Sequence, residues 1–359
     1  MLAERLKIYK GKKVLVTGHT GFKGAWLCIW LLEIGADVVG LALDPKSNKD
    51  LFETSKLSSK IKDYRGDIRD ISTIKNVLEK EKPEVVFHLA AQPLVLDSYA
   101  DPLYTYEVNV LGTAYLLDAI REANSVKVCI CITTDKVYKN NEWVWPYRET
   151  EALGGYDPYS ASKAAAELVI NSYRSSFFNP DQYTSHTKSI ASVRAGNVIG
   201  GGDWSENRII PDTIKALKSG ATIELRKPSA VRPWQHVIEP LGGYLLLGSL
   251  MISHPTLYCD AYNFGPESEN IHTVQALVEE LINQSQVGEW KDISDPNDLH
   301  EATLLSLDIN KAKTDLKWHP VLSFKQTVAY TYEWYNQTET TDNYALSVKQ
   351  IEDYINQWK

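Results

Sequence analysis

Cysteine is sparse in this chain, with four in 359 residues. Cys28, Cys129, Cys131 and Cys259 sit in apolar surroundings without metal-ligand spacing, which argues against a disulfide scaffold or a thiolate metal site. They read as reduced core residues, and Cys129 and Cys131, two apart in a strand-like run, are expected on one face. Long hydrophobic runs are also missing. No segment approaches the roughly 18 apolar residues of a membrane span, and the mixed-charge stretch from Met1 to Lys13 has no secretory core, so a cytoplasmic protein is expected. Positive charge is short: the formal net charge is -8, and the scattered basic residues form no stripe for a nucleic acid. His19, His88, His236 and His254 form no ligand cluster, and no metal is expected. Internal repeats and low-complexity segments are absent.

What is present is an ordinary globular composition, 43 % hydrophobic and 23 % charged, on a chain long enough for two domains or one large elaborated one. From Lys13 onward, short apolar runs alternate with helix-like segments. Val14-Leu15-Val16 precedes a helix through Trp26 to Leu32, then come Asp37 to Leu43, Val85 to Leu89 and Val126 to Ile132. Runs that are apolar on both faces and separated by helices predict a parallel sheet buried between helix layers, so the fold class is α/β, Rossmann-like and doubly wound. Beyond Arg194 the pattern loosens, and a smaller mixed substrate domain rich in loops is expected. Tyr262-Asn263-Phe264 reads as a strand returning to the first domain.

Gly18, Gly21 and Gly24 follow the first strand and open the first helix, in Gly18-His19-Thr20-Gly21-Phe22-Lys23-Gly24. That spacing lets the backbone approach a diphosphate, and the helix N-terminus attracts its charge. Asp44, 20 residues after Gly24, would accept bonds from an adenosine ribose and repel a 2′-phosphate, which favours NAD over NADP; its plain alternative is a turn before Pro45. Asp67 and Ile68 could frame the adenine or form a surface turn. Leu89, Ala90 and Ala91 end the fourth strand, where small residues let a cofactor cross the sheet edge.

Two further segments carry the chemistry. Tyr159 and Lys163 are four apart, so on a helix both project from one face. Asp157 suits the cap of that helix and Pro158 its first position, which puts Tyr159 in the first turn. A cation one turn away stabilises a phenolate, and the pair can take a proton from a sugar hydroxyl as hydride leaves. Thr134, Asp135 and Lys136 end a buried strand and add an acid/base pair that plain oxidation does not need.

These motifs resemble the extended short-chain dehydrogenase/reductase superfamily, specifically its nucleotide-sugar 4,6-dehydratases. Thr134 to Tyr138, Gly154 to Ser160, Arg194 to Trp204 and Arg232 to Val237 are most similar to the branch acting on CDP-glucose, over nearly the whole chain. The resemblance implies a tightly held NAD and three stages. Tyr159 takes the proton from the hydroxyl at carbon 4 while hydride passes to NAD, with Thr134 bonded to that oxygen. Water is then lost across carbons 5 and 6 with Asp135 as general acid, and the hydride finally returns to carbon 6. Lys136 stands where the dTDP-glucose dehydratases have glutamate. It is either a neutral base for the carbon-5 proton, the favoured role, or a cation stabilising the enolate.

The resemblance also implies substrate roles for Asn197 and Arg232 at the sugar and diphosphate, more weakly for Arg208, which could instead pair with Glu206, and for His300 and Glu301 at the nucleotide pocket. Trp204 and Trp234 could pack on the base or only on neighbouring chain. The expected organisation is a NAD-binding domain over 1–196 with a returning segment near 233–265, and a substrate domain over 197–232 and 266–359. A homodimer or homotetramer is expected, built on the Tyr159 helix and the one after Asn109. Rival readings are a dehydratase for another nucleotide sugar, a 4-epimerase, or a protein that only senses NAD.

Overall fold

The computed structural model describes residues 2–267, 271–295, 304–338 and 341–358. Its centre is a seven-stranded parallel sheet. The first six strands are β1 (Lys13–Thr17), β2 (Asp37–Ala42), β3 (Lys62–Arg65), β4 (Val85–His88), β5 (Val128–Ile132) and β6 (Ser189–Ala195). After three short strands, β7 (Val198–Ile199), β8 (Ile223–Leu225) and β9 (Val231–Arg232), and β10 (Gln235–His236), comes β11 (Ala261–Phe264), which rejoins the sheet beside β6. The order is β11-β6-β5-β4-β1-β2-β3. The short strands pair among themselves, β10 with β7, β9 with β12 (His272–Thr273), and β8 with β13 (Trp290–Asp292).

Alternation explains the burial of both faces. Val14 and Val16 enter one apolar cluster while Leu15 enters the other, and Val128, Ile130 and Ile132 likewise face away from Cys129 and Cys131. The two thiols lie on one face, 3.8 Å apart, as expected. Among the described residues all cysteines are free, no group of metal-binding side chains forms, and no helix is long and apolar enough to cross a membrane.

The sheet reverses its direction of winding between β1 and β4, which opens a crevice at the carboxyl ends of the strands. Thr17 stands opposite His88, His88 opposite Cys131, and Ile132 opposite Val193, so Gly18, Leu89, Thr133 and Gly196 emerge along one edge. Helix Pro158–Ser176 packs across that edge. Its Asp157 cap accepts from Ser160 N at 2.9 Å with Pro158 in the first turn, as the capping pattern requires.

The glycine run after β7 is a packing device rather than a loose loop. A Cβ on Gly201 would lie 1.9 Å from the Trp334 ring, and the Gly201 carbonyl accepts from Trp26 Nε1 at 2.9 Å. This brings the C-terminal helices, Phe324–Gln337 and Asn343–Gln357, onto helix Phe22–Glu33, where Trp30 meets Tyr354 edge-on at 5.7 Å.

Glu239, 1 % exposed, clamps this C-terminal layer. Its Oε1 accepts from Val321 N at 2.8 Å and Leu322 N at 2.6 Å, and its Oε2 from the Tyr354 hydroxyl at 3.1 Å. Burial pushes its carboxyl up to about 7, against the pull of those donors. The folded state therefore holds a proton that the unfolded chain has lost, and this contribution, present at low pH, fades as pH rises from the unfolded value towards 7. Glu239→Gln keeps the acceptor and removes the titration. The variant's stability relative to the parent is expected to improve by up to about 3 kcal/mol between roughly pH 5 and pH 8. Denaturant melts of both proteins across that range check this, and parallel curves would contradict it.

Candidate active site

The loop after β1 has the form of a diphosphate cradle. Gly18 has φ +76°, and a Cβ there would lie 2.7 Å from Ala90 N; one on Gly24 would lie 2.1 Å from the Gly18 carbonyl. Gly21 caps helix Phe22–Glu33 without any side-chain hydrogen bond, so the first-turn N–H groups are left for an anion. Lys23 reaches from that turn towards Asp135, Lys163 and Arg208. Burial, with help from the Arg208 charge, lowers it to about 8.

Around the cradle, Thr20 Oγ1 donates to the Leu43 carbonyl at 3.0 Å. Asp44 has a side chain 87 % exposed, with Arg65 Nε 3.7 Å away. Asp67 accepts from Arg69 Nη2 at 2.8 Å; burial works against ionisation, but the Arg69 bonds outweigh it and hold the carboxyl low. Ile68 is buried, Leu89 and Ala91 are half-buried, and Ala90 N donates to Thr17 Oγ1 at 3.3 Å. All lie along the β1–β4 crevice side of the sheet, so the residues present fit a dinucleotide. Arg65 is a neighbour that sequence spacing did not mark, because it belongs to β3, paired with β2 only in the folded sheet.

Tyr159 and Lys163 share one face of helix Pro158–Ser176. Tyr159 N donates to Ser98 Oγ at 3.1 Å, and Lys163 Nζ donates to the Ile132 carbonyl at 3.2 Å, which ties the helix to the end of β5. Their ionisation differs from the simple expectation. Burial pushes the Tyr159 phenol up to about 12, despite a bond with Thr134 and the Arg208 charge, while burial pulls Lys163 down to about 8. Burial thus favours the neutral phenol of Tyr159 and works against the charge on Lys163.

Thr134 caps the short turn Asp135–Val137, and its Oγ1 donates to Asp135 Oδ1 at 2.9 Å. Asp135 is 2 % exposed. Burial raises its pKa against the opposing pull of Lys136, Thr134, Arg232 and Lys23, and its Oδ2 has no hydrogen-bond partner among the described residues. That oxygen lies where a Cβ on Gly196 would come within 3.1 Å, so glycine at 196 leaves it room. Lys136 is half-buried beside it.

Of the other expected residues, Arg208 faces this site, but its partner is Asp203, Nη1 to Oδ2 at 2.8 Å, and not Glu206. Arg232 donates from Nη1 to the Val231 carbonyl at 2.9 Å, and its charge reaches Asp135. Asn197 is half-buried at the end of β6, its carbonyl accepting from Gln235 N at 3.1 Å. Trp234 is buried with Nε1 on the His272 carbonyl at 3.2 Å, and Trp204 packs edge-on against Tyr335 at 5.1 Å. His300 and Glu301 lie outside the described residues.

The chain resembles proteins of known activity throughout its length. A CDP-glucose 4,6-dehydratase from Salmonella typhimurium is 44 % identical over 97 % of both chains. A bovine dTDP-D-glucose 4,6-dehydratase is 28 % identical over 96 % of this chain and 93 % of its own. Among solved structures, a dTDP-glucose 4,6-dehydratase from Bacillus anthracis in complex with NAD superposes with a TM-score of 0.75 at 21 % identity, covering 92 % of this chain and 98 % of the other. A UDP-glucose 4-epimerase from Thermotoga maritima gives 0.76 at 23 %, covering 91 % and 99 %, and the two show a shared fold. The GDP-mannose 4,6 dehydratase profile matches residues 15–331. With that match laid over the glycine cradle, the Tyr159/Lys163 helix and the Thr134 turn, the chain belongs to the GDP-mannose 4,6 dehydratase family.

Proposed function

We propose that the protein is an NAD-dependent 4,6-dehydratase that converts CDP-D-glucose to CDP-4-dehydro-6-deoxy-D-glucose. The observation that carries this reading is the buried carboxyl of Asp135, raised in pKa, with one unpartnered oxygen, set beside Thr134 and across from Tyr159. An epimerase needs Tyr159 and Lys163 but has no use for a proton donor there. The 44 % identity with the Salmonella CDP-glucose enzyme supports the nucleotide.

Bound NAD would supply reversible hydride acceptance, so that no net redox change accompanies the loss of water. The cradle of Gly18, Thr20, Gly21, Phe22, Lys23 and Gly24 would hold its diphosphate, Asp44 its ribose, and Asp67, Ile68, Leu89, Ala90 and Ala91 the remaining edge. Tyr159, once its own proton has been lost, removes the proton from the carbon-4 hydroxyl while Thr134 bonds that oxygen and Lys163 supplies positive charge. The ketone makes the carbon-5 proton acidic. Lys136, acting in its neutral form, takes that proton and returns one to carbon 5 at the end, and Asp135 delivers its own to the departing carbon-6 hydroxyl; a carboxyl whose pKa burial raises suits this task. Asn197, Arg208 and Arg232 bind sugar and diphosphate oxygens.

Exposed Leu103, Leu111 and Leu168, 75 %, 46 % and 60 % accessible, support a homodimer through the Tyr159 helix and its neighbour.

The test is incubation with CDP-, dTDP-, UDP- and GDP-linked glucose, with and without NAD, followed by mass analysis. Loss of one water from CDP-glucose is expected. Inertness towards it overturns the nucleotide assignment, and a hydroxyl epimer in place of a ketone overturns the reaction. For Lys136, the Met variant should slow exchange of the carbon-5 hydrogen with solvent by about 100-fold or more. Exchange at the parental rate would exclude the base role.

A further inference from the structure

Behind the active site lies a buried ion pair that the chemistry above does not use. Glu167 follows Lys163 by one helical turn and is 3 % exposed; Arg194, on β6, is 4 % exposed. They meet bidentately, Arg194 Nε to Oε1 at 3.0 Å and Nη2 to Oε2 at 2.9 Å. Glu167 also accepts from Thr133 Oγ1 at 2.5 Å and Ser192 Oγ at 2.8 Å, so both carboxylate oxygens are fully used. The remaining Arg194 nitrogen donates to the Tyr138 hydroxyl at 2.8 Å and the Glu149 carbonyl at 3.0 Å, and Tyr138 donates to Asn263 Oδ1 at 2.7 Å.

The contacts single out one short stretch of chain. Thr133 and Tyr138 are the residues that bracket Thr134 to Val137, and both are tied to the same ion pair. The turn between them is weakly held by its own backbone: Val137 N reaches the Thr134 carbonyl at 3.4 Å and Tyr138 N the Asp135 carbonyl at 3.5 Å, long for such bonds. Side chains alternate along an extended segment, so Thr133 turns inward to Glu167 while Thr134 turns to the site. A buried ion pair adds little net stability compared with apolar residues of the same size, and its best-attested use is to specify one arrangement.

We propose that Glu167 and Arg194 are positioning residues that fix the Thr134-Asp135-Lys136 turn relative to Tyr159 and Lys163. This rests on the dehydratase reading, in that the step it serves is the elimination. Tyr159 and Lys163 are held by their own helix, so oxidation at carbon 4 depends less on the pair than the proton transfers by Asp135 and Lys136.

Removing either ion would strand the other and risks unfolding the protein. The test therefore cuts the two ties, with Thr133→Val and Tyr138→Phe, singly and together. Hydrogen exchange of the unliganded proteins is read at the Lys136 and Val137 amides, and turnover is quenched and reduced with borodeuteride to count sugars that carry a 4-ketone but retain the 6-hydroxyl. The double variant is expected to exchange these amides at least tenfold faster, and to form 6-deoxy product about 10- to 100-fold more slowly while the 4-keto, 6-hydroxy sugar accumulates. Unchanged exchange, or equal slowing of both steps with no such sugar, overturns the proposal. A parent protein inert to every nucleotide sugar would instead overturn the dehydratase reading and leave the exchange result to decide the brace.

Discussion

Tyr159→Phe is expected to lower kcat by about three to four orders of magnitude while leaving the melting temperature within a degree or two of the parent. The ring is buried and stays in place, and the hydrogen bond to Ser98 is made by the backbone N–H, which the substitution keeps. What disappears is the oxygen that accepts the carbon-4 proton. Burial pushes that phenol up to about 12, Thr134 and the Arg208 charge oppose the shift, and the phenol must give up its own proton before its oxygen can accept the one from the carbon-4 hydroxyl. Stopped-flow and steady-state rates check the prediction; turnover within tenfold of the parent would mean that another group accepts the carbon-4 proton.

Asp135→Asn should separate oxidation from dehydration. The amide keeps the shape and its oxygen can still accept from Thr134 Oγ1, while its nitrogen occupies the place of an Oδ2 that has no partner among the described residues. Stability should be equal or higher, because a carboxyl whose charged form burial disfavours has been replaced by a neutral group. The amide has no proton to give to the leaving hydroxyl. Formation of the 6-deoxy sugar is expected to fall by about 100- to 10,000-fold, with oxidation at carbon 4 much less affected. Mass analysis of quenched reactions distinguishes the two, and water loss at the parental rate would remove Asp135 from the mechanism.

The local features of the site were legible because their signals are short in sequence. Asp157 and Pro158 announce the helix start, the four-residue spacing aligns Tyr159 with Lys163, and the glycines between β1 and its following helix mark the cradle; each depends on contacts within about one helical turn or one loop. The place of Thr134, Asp135 and Lys136 at the end of β5 was also visible, since a strand that ends in three polar groups at a sheet edge has no packing reason to do so. Arg208 shows the limit of such reasoning. A local reading offered Glu206 two residues away, yet the loop folds so that Asp203 takes the guanidinium.

The pairs that were not legible join residues far apart in the chain. Ser98 and Tyr159 are 61 residues apart, Arg194 and Tyr138 are 56 apart, and Arg194 and Glu167 are 27 apart. The glycine run at 200–202 looked like a loop and is instead the seat of Trp334, 133 residues beyond Gly201. By itself the order of residues determined the α/β class, the glycine turn after β1 and the shared helix face of Tyr159 and Lys163, because hydrophobic period, capping and spacing act over a few residues. Only the tertiary structure decided how those groups ionise and what holds them. Burial, which sets Tyr159, Lys163 and Asp135 away from their usual pKa values, is a property of everything packed around a side chain, and the chain reveals that only when distant strands have met.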